Sequence, residues 1–291
     1  MNVLTIARFT LREARRRRVL WLGIGLGLTF LALFALGFYL VYDEMRRSIL
    51  MTLVNDEERE AVLTLGANLF LMMGLFVVNF LVVLVSILTT VGTLSSEISS
   101  YTIHAIVTKP LRRWEVILGK WLAHVVMVAV YVLLLTGGIV AVVYLIAGHS
   151  PNAIVEGLGL YVLEGIVLVS VSILGGTRFS SLANGVILFM VYGLAFVGGW
   201  VEQIASLPFI DSDTAVNLGM LAGRLLPSEV LWRRASHIMS PSIAPGLDIE
   251  GPPTFVFTFG RAPQPSVVVY ALVYIGIILL LATWSFRRRD L

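Results

Sequence analysis

The chain has 291 residues, 58% of them hydrophobic and 13% charged, with a net charge of +3. A soluble domain carries roughly a quarter of its residues as Asp, Glu, Lys or Arg, so this composition excludes a water-soluble enzyme and makes the bilayer the default solvent. The absence of cysteine excludes disulfides, thiolate catalysis and Cys-based zinc or iron–sulfur sites, and His104, His124, His149 and His237 lack metal-ligand spacing, so no metal site is expected.

In chain order, Leu4, Ala7, Leu11 and Ala14 fall on one helical face with Val3 and Ile6 alongside, while Arg8, Arg12, Arg15 and Arg16 share another. This predicts a basic amphipathic helix over residues 1–18 lying on a membrane surface, which by itself serves as a topological anchor. The apolar run that follows is too long for the core of a signal peptide and has no small-x-small site after it, so it is expected to stay in place as a span.

Spans need about 20 apolar residues. Residues 19–42, 68–94, 121–147, 182–201 and 267–286 qualify directly, and 153–174 qualifies despite Glu156 and Glu164. The fold class expected is therefore all-α integral membrane, with six transmembrane helices over residues 19–291.

Orientation follows from the basic residues. With the N-terminus inside, the inner segments hold Arg8, Arg12, Arg15 to Arg18, Lys109, Arg112, Arg113, Lys120, Arg178 and Arg287 to Arg289, which is 14 of 21. Most acids, among them Asp43, Glu44, Asp56 and Glu57, fall on the other side, so both termini are expected in the cytoplasm of a prokaryotic cell, under its inner membrane. Residues 43–66 read as an acidic outer loop and 95–120 as an inner connector. Residues 202–266, with eight of the ten prolines, read as a large outer loop containing short helices near 215–226 and 229–239 and irregular chain beyond 241.

The chain carries no G-x-x-x-x-G-K-[ST] phosphate loop, since the single Gly119-Lys120 pair is followed by Trp121; it also has no G-x-S-x-G and no H-E-x-x-H. No catalytic residue and no nucleic-acid partner are expected. Polar residues inside spans are costly and mark functional candidates: Glu164 above all, with Glu156 two turns earlier, and Asn79. Asn79 and Asn184 equally suit hydrogen bonds between helices, and Gly23 and Gly27 form a G-x-x-x-G that permits close helix approach.

The inner connector is the most informative stretch. Glu97 and Thr102-Ile103 precede Lys109-Pro110, and Arg113, Glu115 and Gly119-Lys120 lead into the third span. Pro110 breaks the stretch, leaving a short helix before it with Ile98, Ile103, Ile106 and Val107 apolar. These residues resemble the type 2 ATP-binding-cassette (ABC) permeases, and within them the multi-copper-enzyme-maturation branch, whose connector is similar to E-x-x-x-x-T-(I/L), Lys-Pro, then E-(V/I)-x-x-G-K. The Arg-rich start resembles the family's elbow helix, and the ending Phe286 to Leu291 is similar to its basic tail; the outer loop lies outside the resemblance.

The resemblance implies that Glu97, Thr102, Ile103, Ile106, Lys109, Pro110 and Arg113 belong to a segment that couples the spans to a separate ABC ATPase. It further implies two copies of that ATPase, which bind ATP and Mg, a second permease subunit forming a homo- or heterodimer, and ATP-driven export or extraction of cargo from the membrane. This chain itself needs no cofactor; besides lipid, an extracytoplasmic partner at residues 202–266 is a further expectation. Two other readings stay open: an ion- or proton-coupled carrier that uses Glu164, and a non-transporting scaffold that uses the outer loop.

Overall fold

The computed structural model describes residues 3–52, 55–99, 112–205, 212–240 and 263–288, and the side chains of 52 and 96–99 lie outside the description. Among the described residues every regular element is a helix. These are α1 (Val3–Ala14), α2 (Arg18–Thr52), α3 (Asp56–Ser99), α4 (Arg113–Ala147), α5 (Ile154–Gly176), α6 (Ser181–Ala205), α7 (Asp213–Leu225), α8 (Ser228–Met239) and α9 (Ser266–Arg287). Six of them, α2 to α6 and α9, are long and apolar enough to cross a membrane.

The six long helices alternate in direction. Their ends form two faces: a near end, where α2, α4 and α6 start, and a far end, where they finish. Bonds between distant residues hold the near end together: Ser95 to Ser181 (2.7 Å), Thr177 to Ser285 (2.8 Å), and Arg113 Nη1 donating to the carbonyls of Phe286 (3.2 Å) and Arg287 (2.8 Å).

The most enclosed span is α3, with Leu71, Leu75, Val78, Val82 and Ile87 all buried against its neighbours, while α2 and α9 leave rows of large apolar side chains exposed. That distribution suits a bilayer, where lipid solvates Leu as well as a helix does and packing follows shape. Gly23 and Gly27 supply such shape inside the chain. A Cβ at Gly23 would stand 2.8 Å from Val85 of α3, and one at Gly27 2.9 Å from Leu135 of α4, while the Tyr131 hydroxyl donates to the Gly23 carbonyl (3.2 Å). The G-x-x-x-G thus seats α2 on its own α3 and α4.

Two sequence expectations change. Residues 43–66 are not an open loop: α2 runs on to Thr52 and α3 begins at Asp56. The Glu and Arg residues there are good helix formers, and charges pair along the helix, Arg47 with Asp43 (2.7 Å) and Arg59 with Asp56 (2.9 Å). With 44 residues, α3 is about 66 Å long at 1.5 Å per residue, about twice the ~30 Å hydrocarbon thickness, so it projects well beyond the core.

The second change concerns residues 202–266. Short helices stand where the pattern put them, but they fold back onto the bundle. The Ser212 amide donates to the Ala205 carbonyl (3.2 Å), Gly219 lies against Gly198 and Glu202, and Ala222 against Gly198, so α7 descends antiparallel along α6. At Pro227 the chain reverses and α8 climbs between α5 and α6, ending with Met239 in the notch left by Gly157 and Ser240 accepting from Asn68 (3.3 Å). The turn reaches two helical turns along α9, where the Tyr270 and Tyr274 hydroxyls donate to the carbonyls of Arg224 (2.5 Å) and Leu225 (2.9 Å). Those hydroxyls satisfy carbonyls that the end of α7 leaves without helical partners.

Candidate functional site

The helical hairpin α7–α8 closes the far half of the bundle over a set of polar groups. Arg233 of α8 is held by two carboxylates: Nη2 to Glu202 of α6 at 2.8 Å and Nε to Glu229, one turn earlier on α8, at 2.9 Å. Arg233 and Glu229 are 5% and 2% exposed and Glu202 26%. Gly199 makes the arrangement possible, since a Cβ there would collide with the Glu229 carboxylate. Glu229 stands outside the six spans, and burial pushes its carboxyl up to about 7 against the opposing pull of Arg233.

Deeper along the same axis lies Glu164 of α5, fully buried. Among the described residues it has no ion-pair partner, and the charge that reaches it, Glu229, is also acidic. Its polar contacts come from Asn79 of α3 and, through Asn79, Tyr192 of α6. With the Asn79 amide nitrogen toward the carboxylate, Nδ2 donates to Oε1 (2.6 Å) and Oε2 (3.1 Å), and Oδ1 accepts from the Tyr192 hydroxyl (3.0 Å). In the reverse orientation Nδ2 donates to the Tyr192 oxygen (3.0 Å) and Oδ1 accepts from a protonated Glu164. One amide therefore serves both protonation states. One turn before Glu164, the Tyr161 hydroxyl donates to the Leu75 carbonyl of α3 (3.3 Å).

The two states separate a structural from a charge-dependent role. Glu164→Gln keeps a partner for Asn79 and is expected to leave thermal unfolding in detergent within about 1 kcal/mol of the parent, whereas Glu164→Leu leaves the amide unsatisfied at a cost of about 1–3 kcal/mol. Equal melting of the two variants would show that the Asn79 contact carries no weight.

At the near end a second group of polar side chains locks α3 to α4. Lys120, 4% exposed, donates to the Thr93 carbonyl (3.2 Å). His124 Nε2 lies 2.9 Å from Thr93 Oγ1 and 3.1 Å from the Thr89 carbonyl, and its Nδ1 lies 2.8 Å from the Lys120 carbonyl. Against the start of α4 packs α1, through Ile6, Ala7, Thr10 and Ala14; Gly119 leaves room for it, since a Cβ would stand 2.6 Å from that of Ile6.

The sequence-derived residues fare unevenly. Arg8 and Arg12 are exposed on α1 and Arg15 and Arg16 are exposed in the turn just past it, while the buried face is Ile6, Ala7, Thr10 and Ala14, with Leu4 and Phe9 outside it. Glu97 is in the last turn of α3, and Arg113 opens α4 bound to the end of α9. Thr102, Ile103, Ile106, Lys109 and Pro110 lie outside the described residues. Glu156 is exposed in the first turn of α5 and is not brought to Glu164; a carboxylate there suits the positive end of the helix dipole. Asn184 donates across to the Ser172 carbonyl of α5 (2.8 Å).

Sequence reasoning missed Glu202, Glu229 and Arg233. The signal was present in α8, where Glu229 and Arg233 are four apart in a segment that also places Leu231, Trp232, Ala235 and Met239 for burial.

Six alternating apolar helices, with polar groups buried under a folded-back hairpin, define a multi-pass helical membrane protein. The chain belongs to the ABC-2 family of transporter proteins: the family model described as "ABC-2 family transporter protein" matches residues 4–291, nearly its whole length. Comparison with curated proteins finds no match. Members of this family are the membrane component of a transport system, not enzymes by themselves, and they normally work with an ATPase partner.

Proposed function

We propose that this chain is the membrane-spanning permease of an ATP-driven exporter, orientated with its near end and both termini in the cytoplasm of a prokaryotic cell. The observation that carries the reading is the family match over residues 4–291. The near end supplies a mechanical basis for it. α3 carries Glu97 three residues past its apolar run, toward the connector, and Lys120, His124 and Thr93 tie that same end of α3 to α4. A push on residues 97–113 from a separate ATPase is thereby delivered to two spans at once.

In this reading α1 is the elbow helix, braced on α4, and the ATP and Mg are held by two copies of the partner ATPase. A second permease subunit completes the pore-forming pair. In this reading the chain is, within its family, one of the multi-copper-enzyme-maturation permeases, which its connector sequence resembles. The hairpin α7–α8 covers the outer half, above Glu164.

The test is purification of the tagged chain from native membranes in mild detergent. A nucleotide-hydrolysing subunit is expected in one-to-one ratio with the permease, its ATPase activity raised by reconstitution with this chain. Recovery of the chain without any ATPase, together with Glu164-dependent proton flux in vesicles, would establish a carrier instead, and a tightly held outer protein without an ATPase would establish a scaffold.

A further inference from the structure

At the near end, between α5, α6 and α9, lies a cavity of 340 Å³, within the range of about 300–1,000 Å³ usual for small-ligand sites. Its shaft is apolar, walled by Leu174, Ile187, Val191, Leu281 and Trp284. Ile187, Leu281 and Trp284 are each between 41% and 47% exposed, so the shaft opens sideways, toward where lipid lies.

The mouth is cationic. Arg178, just past the end of α5, is exposed; its Nε donates to Ser285 (3.0 Å), which fixes the guanidinium over the cavity, and among the described residues its Nη groups have no hydrogen bond or ion pair. Arg288 stacks on the Trp284 ring at 4.0 Å, and Arg287 is exposed beside it. Among the described residues no acidic side chain lines the cavity. An apolar shaft open to the bilayer, with the Arg178 guanidinium at its mouth, suits an acyl chain that carries a phosphate headgroup.

We propose that this cavity holds an anionic phospholipid of the inner leaflet, with an acyl chain along Ile187, Val191 and Leu281 and its phosphate on Arg178. The inner-leaflet placement rests on the orientation given under the proposed function. Basic pockets between spans on the cytoplasmic side attract anionic headgroups because the inner surface is negative and each nearby Arg adds to the attraction, while the planar guanidinium pairs well with phosphate oxygens. The lipid would wedge α9 against α5 and α6 at the end where Arg113 also grips α9, so its occupancy would set how firmly the last span is held.

The measurement is native mass spectrometry of the purified chain incubated with phosphatidylglycerol or with phosphatidylcholine of identical acyl chains. The parent is expected to retain phosphatidylglycerol with a preference of at least about fivefold, and Arg178→Gln to abolish that preference. Ile187→Trp, which fills the shaft from an exposed position, is expected to lower retention of both lipids, and it keeps the test decisive if the Arg178 variant does not fold. Equal retention of the two lipids by the parent would overturn the proposal, as would undiminished phosphatidylglycerol binding in the variants. So would displacement of the lipid by millimolar inorganic phosphate, which marks a simple anion site, or an Ile187→Trp effect confined to the oligomeric state, which marks a contact with a second copy. Orientation is read separately. The chain has no cysteine, so Leu182→Cys, 80% exposed at the near end, reports its side by labelling with an impermeant maleimide; labelling from outside the cell would overturn the inner-leaflet placement while leaving the lipid measurements standing on their own.

Discussion

Replacing Arg233 with methionine is expected to destabilise the far half of the bundle by about 3–5 kcal/mol, the usual cost of stranding a buried charge without its partner. The guanidinium is shared by Glu229 and Glu202, and it is the cation that the structure places between them. Its removal leaves Glu229, 2% exposed, facing Glu202 and the buried Glu164, so α8 should detach from α6 and the α7–α8 hairpin should loosen. Thermal unfolding in detergent and protease susceptibility at the α7–α8 turn measure the two effects. The triple variant Arg233→Met, Glu229→Gln, Glu202→Gln removes the stranded charges and is expected to recover most of the loss, because neutralising all members of a buried ion cluster is far less costly than breaking it. An Arg233→Met protein as stable as the parent would mean that the hairpin is held by Leu231, Trp232 and Met239 alone.

The second large effect is expected at the near end. Glu97→Ala should leave insertion and oligomeric state intact and reduce coupled transport at least tenfold, a loss of about 1.4 kcal/mol or more in coupling, while ATPase activity persists. Reconstituted vesicles with the partner ATPase provide both readouts in one sample. The logic is positional: Glu97 ends α3 at its junction with the connector, whereas Arg113, at the other edge of the connector, is engaged with the last carbonyls of α9. Arg113→Met is accordingly expected to loosen α9 before it affects coupling. Unchanged coupling in the Glu97 variant would remove residues 97–113 from the proposed drive train.

The polar residues between the first two apolar runs show where reading a chain by hydropathy stops. Asp43, Glu44, Arg46 and Arg47 end the apolar run but not the helix, because Glu and Arg are good helix formers and Asp43 pairs with Arg47 one turn on. Hydropathy marks the thickness of the bilayer and the backbone follows its own propensities, so α2 and α3 outrun their spans. The same distinction explains α7 and α8: their periodicity made them legible as short helices, but nothing local states that Gly198 and Gly199 leave a groove on α6 into which they return.

Sequence alone determined the six apolar helices, the basic face of α1 and the uneven distribution of charge between the two ends. Each depends on residues near one another in the chain, and transfer free energy and helical periodicity are properties of such local runs. Tertiary structure alone decided that Glu164 meets Asn79 and Tyr192 and not Glu156, that Glu202 of α6 joins the Glu229–Arg233 pair of α8, and that Arg178 caps an apolar shaft. The physical reason is that a buried polar group must find a partner wherever the packing places one, and in this bundle the partners come from different helices whose registers are set by Gly23, Gly27, Gly157 and Gly199.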